Sequence, residues 1–213
     1  MSGSPPVIPY ADELKRKALH LLALVIPAGM LLLGREVSLW ILVPLGTLAL
    51  ALDVARARHA PTRRVLHRLF AGIMRPEELP PTAGGRAPVA FNGATMMCVA
   101  AALTVALFPV GPAAAGMAML MVGDGAAAVV GRRYGAHKWP GSPKSVEGTA
   151  AFAVTAFAIG LAVVAWPGAG VGVAACAVGA VVAAVVEALP IPVNDNVRVP
   201  LAAAGAVVLA GWL

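Results

Sequence analysis

The sequence predicts an all-α, polytopic membrane protein with about seven transmembrane helices and a cytoplasmic amphipathic helix. The 213 residues have a mean hydropathy of +0.84, and 60% are hydrophobic but only 12% are charged. Soluble domains average about 25% charged residues. Apolar stretches recur at the roughly 20-residue length that a helix needs to cross a bilayer. We expect residues 1–213 to form a single integral-membrane domain.

Hydropathy places the candidate spans one after another along the whole chain. Ala, Gly and Val dominate the spans after residue 110, and such small residues permit close helix packing in lipid and also a homodimer. The predicted spans cover about residues 18–33, 38–55, 89–108, 112–130, 150–166, 169–188 and 199–213.

The distribution of Lys and Arg predicts the orientation in the cell membrane. Basic residues precede the first span, fill the segments 56–86 and 132–144, and include Arg198, whereas Arg35 lies in a loop on the other side. Cytoplasmic loops carry an excess of Lys and Arg. The N-terminus and the polar clusters are therefore expected in the cytoplasm, and the C-terminus on the outer side. The net charge of +6 is explained by topology, and nucleic acid is not an expected partner.

The segment between the second and third spans contains a predicted amphipathic helix that Thr62 could cap and Pro76 would end. One hypothesis places this helix on anionic headgroups. The alternative is a gate over a lipid-entry cleft. The apolar face consists of Val65, Leu66, Leu69, Phe70, Ile73 and Met74, opposite Arg63, Arg64, His67 and Arg68.

Four polar clusters lie at the cytoplasmic ends of the spans, and the first two combine charges with apolar surroundings. The first is a helical stripe that either anchors the N-terminus or handles phosphate and protons; it contains Glu13, Arg16, Lys17 and His20. In the second, Asp124 stands between Gly123 and Gly125 in an apolar run. A carboxylate there is costly. It could bind a hard cation such as Mg²⁺, or form a salt bridge with a neighbour such as Arg132.

The third and fourth clusters each have a structural and a functional interpretation. Lys144, Ser145, Glu147 and Gly148 precede the fifth span, where they could bind phosphate or cap a helix. Glu187 and the Asp195-Asn196 pair flank a Pro-rich turn; they could face one cavity, or Asp195 and Asn196 could simply build the turn. Together the four clusters favour phosphoryl or nucleotidyl transfer to a membrane lipid.

The order of these motifs resembles the dolichol kinase and phytol kinase family, which includes CTP-dependent diacylglycerol kinase. The segment 123–148 is also similar to phosphatidate cytidylyltransferases. Asp195-Asn196 before an apolar span favours the kinases, and the Gly-His-Gly-Gly stretch typical of cytidylyltransferases is not in the sequence. The matching motifs are Arg16-Lys17-x-x-His20, Asp53-x-x-Arg56, Asn92-Gly93-Ala94-Thr95, Gly123-Asp124-Gly125 with Gly131-Arg132, Lys144-Ser145-x-Glu147-Gly148, and Glu187 with Asp195-Asn196 and Pro200.

The resemblance implies a kinase that transfers the γ-phosphoryl group of CTP to a membrane lipid alcohol, such as a polyprenol, a phytol-like prenol or diacylglycerol. A phosphatidate cytidylyltransferase is the alternative enzyme, and a small transporter or scaffold is the alternative from another class. The implied roles fall into five sets: Asp124, Asp195 and Glu187 for Mg²⁺; Lys144, Ser145 and Gly148 for phosphates; Arg16 and Lys17 for the nucleotide; His20 or Glu147 for the hydroxyl proton; and Asn92, Gly123, Gly125, Arg132 and Asn196 as further nucleotide-binding candidates.

Overall fold

A computed structural model describes residues 21–70 and 89–212, and every named element in this part of the chain is an α-helix. The helices follow one another with short connections where both neighbours are described. Their bounds are α1 Val25–Arg58, α2 Ala60–Phe70, α3 Gly93–Leu107, α4 Val110–Tyr134, α5 Val146–Val164, α6 Val173–Ala188 and α7 Asp195–Ala210.

Element α1 consists of two helical segments that meet at Gly34, which lies between the first two predicted spans. Gly34 interrupts it with φ 74° and ψ 179°. A residue with a side chain rarely adopts this backbone conformation, which glycine tolerates. Beyond the kink, Arg35 Nε donates to the Val105 carbonyl at 3.2 Å, and its guanidinium also bonds the Ala106 carbonyl. Arg35 therefore satisfies backbone acceptors at the C-terminal end of α3.

The part of α1 after the kink runs antiparallel to α3. Arg35 bonds Val105 at one end of this pair of helices, and Asp53 bonds Asn92 at the other end. Between these ends, Gly46 faces Cys98, because an added methyl group would lie 3.6 Å from the Cys98 backbone. Arg35 and Asp53 therefore mark opposite ends of the helical bundle.

Helix α4 is the central element, because it contributes to two hydrophobic clusters. Met119 packs in the cluster shared with α5, α6 and α7, whereas Met117 packs in the cluster shared with α1 and α3. Gly116 faces α7 so closely that a Cβ atom would lie 2.5 Å from the Pro200 carbonyl oxygen. Small residues let helix backbones approach in this way.

Three helices, α1, α4 and α5, are long and apolar enough to cross a membrane, with 34, 25 and 19 residues. Helices α3 and α6 are apolar but shorter. The 15 residues of α3 make a helix about 22 Å long, which is less than the roughly 30 Å hydrocarbon core of a bilayer. The predicted count of about seven spans is therefore not reached in the described residues, although the all-helical class is confirmed.

The predicted amphipathic helix is present as α2, but its faces differ from the prediction. The helix begins at Ala60, before Thr62, whose hydroxyl lies 2.9 Å from His59 Nδ1. Arg63 is only 7% exposed, whereas Val65 is 54% exposed. Arg63 thus turns into the protein, and the expectation that it faces outward with the other basic residues is wrong. Ile73, Met74 and Pro76 lie outside the described residues.

The close contact of α4 with α7 yields a test of the packing. Gly116→Ala would force a methyl group against the Pro200 carbonyl oxygen, so we expect the free energy of unfolding to fall by about 1–3 kcal/mol. The measurement is thermal unfolding in detergent. Gly29→Ala in α1 is the control, since its methyl group would meet no described atom within 4 Å. Equal unfolding temperatures for the two variants would contradict the packing.

Candidate functional site

Lys144 connects two acidic residues from different helices. Its Nζ lies 2.7 Å from Glu187 Oε1 at the end of α6 and 2.8 Å from Asp195 Oδ2 at the start of α7. The ammonium also donates to the Glu187 backbone carbonyl at 2.6 Å. A lysine has three N–H donors, and these three acceptors satisfy them. Glu187 is buried, whereas the side chains of Lys144 and Asp195 are 26% and 38% exposed, so the cluster opens to the surface on the Asp195 side.

Arg198 holds the same acidic residue from the other side. Its Nε donates to Asp195 Oδ1 at 2.8 Å, and its Nη1 donates to the Leu189 carbonyl at 2.9 Å. Leu189 follows the last residue of α6, where carbonyl groups lack partners within the helix. Arg198 therefore fixes both Asp195 and the end of α6. Arg198 was predicted as a cytoplasmic basic residue and not as a site residue, although its spacing of three residues from Asp195 on one helix indicates a pair.

Asp124 lies on α4 in the same neighbourhood. Its charge and that of Asp195 both act on Glu187. The adjacent Gly123 packs against α5, where an added Cβ would lie 2.6 Å from the Phe152 ring, so this glycine serves helix packing. Gly125 is buried. The three acids predicted to bind metal thus come from α4, α6 and α7.

Glu187 and Asp195 offer a cation two carboxylates, which are too few for an independent metal site. Within the described residues, no group of three or more His, Cys, Asp or Glu side chains is arranged to hold a metal ion. Glu187 and Asp195 are close enough to share one ammonium group. Nucleotide-bound Mg²⁺ is usually held by one or two carboxylates together with phosphates and water. The two carboxylates match that number of protein ligands.

The loop between α4 and α5 positions Lys144. It folds back on itself, because Trp139 N–H donates to the Lys144 carbonyl at 3.1 Å and Val146 N–H donates to the His137 carbonyl at 2.9 Å. Trp139 Nε1 also donates to the Thr149 hydroxyl at 2.9 Å. These hydrogen bonds hold the loop against the first turn of α5.

Glu147 bonds a different partner from Lys144. Its Oε1 lies 2.6 Å from His137 Nδ1 and accepts the His137 backbone N–H at 3.2 Å. The His137 side chain is largely exposed. Glu147 and His137 therefore form an exposed pair at the start of α5.

Ser145 and Gly148 shape the start of α5. The Ser145 hydroxyl accepts from the Gly148 N–H at 3.1 Å, which is the bond of an N-cap residue. Ser145 is buried, and a Cβ atom on Gly135 would lie 2.6 Å from its hydroxyl oxygen. The capping interpretation therefore accounts for both residues. Arg132 is exposed in the last turn of α4.

Asn92 and Asn196 belong to a second polar network. Asn92 caps α3 by accepting from Thr95 N–H at 2.8 Å, and its own backbone and side-chain nitrogens each donate to Asp53 at 3.0 Å. Asp53 forms a salt bridge of 3.1 Å with Arg56, and both are buried. Asn196 donates to the Gly93 carbonyl at 2.9 Å. This bond joins the start of α7 to the start of α3.

The structure thus brings Asp124, Lys144, Glu187 and Asp195 together, with Arg198 added. Asn196, the residue after Asp195, instead donates to the carbonyl of Gly93 at the start of α3. Arg16, Lys17 and His20 lie outside the described residues, so their roles stay predictions.

Comparison with known proteins finds one long and one short similarity. No protein-family model and no solved structure matches the chain. An uncharacterized protein of Rickettsia prowazekii (strain Madrid E) is 29% identical over 191 residues, which cover 89% of this chain and 90% of that protein. The dolichol kinase of Saccharomyces cerevisiae is 46% identical over 44 residues, or 21% of this chain and 8% of the kinase. The similarity to a lipid kinase is therefore local.

The contacts of Arg198 lead to a prediction about stability. Arg198→Met would remove donors from Asp195 and from the carbonyls at the end of α6, so we expect the free energy of unfolding to fall by about 1–3 kcal/mol. Thermal unfolding in detergent measures the change. Arg64→Met on the exposed side of α2 serves as the control, and an unfolding temperature equal to that of the control would refute the role given to Arg198.

Proposed function

We propose that the protein is a CTP-dependent kinase that transfers the γ-phosphoryl group to the hydroxyl of a membrane lipid alcohol. The observation that carries the proposal is Lys144 between Glu187 and Asp195, with Asp124 nearby, at one end of an apolar helical bundle. The local similarity to a dolichol kinase supports phosphoryl transfer to a lipid.

The position of the cluster suits a reaction between a water-soluble donor and a lipid. Asn196 links the start of α7 to the start of α3, whereas Arg35 bonds the opposite end of α3. The site therefore lies at one end of the bundle rather than halfway along it. Exposed apolar side chains such as Val154 and Leu209 form an outer surface suited to lipid. We infer that the site faces the cytoplasmic interface, as the charge distribution predicts.

The chemistry requires mainly positioning and neutralisation of charge. The lipid hydroxyl oxygen forms a bond to the γ-phosphorus, and the bond from that phosphorus to the β–γ bridging oxygen breaks. CDP leaves with the electron pair, and the hydroxyl proton passes to a base. Mg²⁺, when bound, neutralises charge on the triphosphate, and Glu187, Asp195 and Asp124 are the residues that would hold it.

Among the protein's own groups, Lys144 contributes a flexible positive charge for the phosphates. Of the two candidates for accepting the hydroxyl proton, His20 and Glu147, only Glu147 lies in the part of the chain that the structure describes, where it bonds His137. The bond between Ser145 and Gly148 fixes the start of α5, close in the chain to both Lys144 and Glu147.

One labelling experiment tests the proposal directly. Purified protein is incubated with Mg²⁺, a mixed membrane-lipid extract and CTP labelled at the γ- or the α-phosphate, with γ-labelled ATP in parallel. We expect label from the γ-position of CTP in the lipid fraction. Transfer of the α-label with release of pyrophosphate would instead identify a phosphatidate cytidylyltransferase. No transfer and no thermal stabilisation by CTP with Mg²⁺ would favour a transporter or scaffold.

A substitution at Asp124 tests the acidic part of the site. Asp124→Asn removes a charge that would stabilise the metal–triphosphate complex, so we expect γ-transfer to fall by about a hundredfold or more. Thermal unfolding should change little, because the side chain keeps its size. Glu36→Gln, on an exposed residue next to Arg35 at the opposite end of the bundle, is the control. Retention of most activity in Asp124→Asn would remove this residue from the site.

A further inference from the structure

The Lys144 ammonium occupies the space between the two carboxylates that the site offers to a cation. It touches Glu187 Oε1 at 2.7 Å and Asp195 Oδ2 at 2.8 Å. The backbone carbonyl of Glu187 provides a third oxygen at 2.6 Å. A lysine ammonium surrounded by three oxygens therefore has the kind of neighbours that a small hard cation takes.

The carboxylates cannot easily turn away to bind a second cation elsewhere. Arg198 holds Asp195 Oδ1 at 2.8 Å, and Glu187 is buried. The charges of Glu187 and Asp195 are also matched by those of Lys144 and Arg198. A divalent ion that entered beside the ammonium would be repelled by it, because like charges at the roughly 4 Å spacing of neighbouring groups repel strongly in a protein.

The backbone of Lys144 is fixed but its side chain is long. The Trp139 N–H bonds the Lys144 carbonyl at 3.1 Å, so the loop holds the residue in place. A lysine ammonium sits on a flexible four-carbon stem with rotatable donors. Exchange of its partners therefore needs rotation about side-chain bonds rather than movement of the loop.

We propose that Lys144 is an exchangeable cation that prevents divalent metal from binding to Glu187 and Asp195 alone. When a metal–nucleotide complex binds, the phosphates attract the ammonium, and the metal takes its place between the carboxylates. Metal and nucleotide then bind only together. This inference rests on the proposed function for its nucleotide, but its first consequence concerns metal binding without any nucleotide.

Mn²⁺ titration followed by electron paramagnetic resonance tests that consequence. Lys144→Met leaves two carboxylates without the ammonium, so we expect Mn²⁺ without nucleotide to bind about tenfold more tightly than to the wild type, or better. Lys138→Met, at an exposed lysine of the same loop, is the matched control and should behave like the wild type. Adding Asp195→Asn to Lys144→Met should abolish the gain.

One result would overturn the proposal. It is a folded Lys144→Met protein, judged by circular dichroism, that binds Mn²⁺ alone no more tightly than the wild type. If Lys144→Met does not fold, the Mn²⁺ affinity of the wild type is measured with and without a non-hydrolysable CTP analogue. The exchange requires that the analogue increase the Mn²⁺ affinity of the protein, and no increase refutes it.

These outcomes are distinguishable from failure of the proposed kinase function. A gain of Mn²⁺ affinity in Lys144→Met without any transfer from labelled CTP would retain the role of Lys144 and reject the kinase. Transfer of the γ-label by a wild type that binds Mn²⁺ tightly alone would retain the kinase and reject the exchange.

Discussion

Close contact between α4 and its neighbours is the constraint on which the rest of the structure depends. In lipid there is little hydrophobic force between helices, so packing has to come from close fit. Gly116 brings α4 against the α7 backbone, and Gly123 brings it against Phe152 of α5. Helix α6 then packs on α5 and α7, where Gly160 accommodates the Cys176 side chain. The interior of α4 around Asp124, the end of α6 and the start of α7 come together as a consequence, and their charged residues become neighbours.

Charges brought together in this way need partners, since removing a buried charge from water is costly. Two networks meet that requirement at the same end of the bundle. One pairs Asp53 with Arg56 and with Asn92. The other pairs Glu187 and Asp195 with Lys144 and Arg198, and it is less buried. The first network therefore suits a permanent structural role, whereas the second is accessible enough to exchange partners.

The sequence predicted the central helices well and the contacts between them poorly. The spans 112–130 and 150–166 correspond to α4 and α5 because long apolar runs depend on local composition. The break at Gly34 lies between the two predicted spans 18–33 and 38–55, but a glycine in an apolar run does not by itself reveal its backbone angles. Lys144 was a candidate, but its pairing with Glu187 joins residues far apart in the chain. Arg198 was missed as a site residue because a basic residue near a span end is also explained by topology.

Placement of the paired charges at helix ends also limits what chemistry the cluster can perform. A group halfway along the apolar helices would be out of reach of a triphosphate, whereas a group far outside them would be out of reach of a hydroxyl anchored in lipid. Asp195 begins α7, Glu187 is near the end of α6, and Lys144 immediately precedes the cap of α5. In the proposed reaction, all three would lie where a polar and an apolar substrate can meet. Because Lys144 and Arg198 pair with Glu187 and Asp195, the proposed polyanionic substrate would have to bring its own counterion or detach one of these side chains.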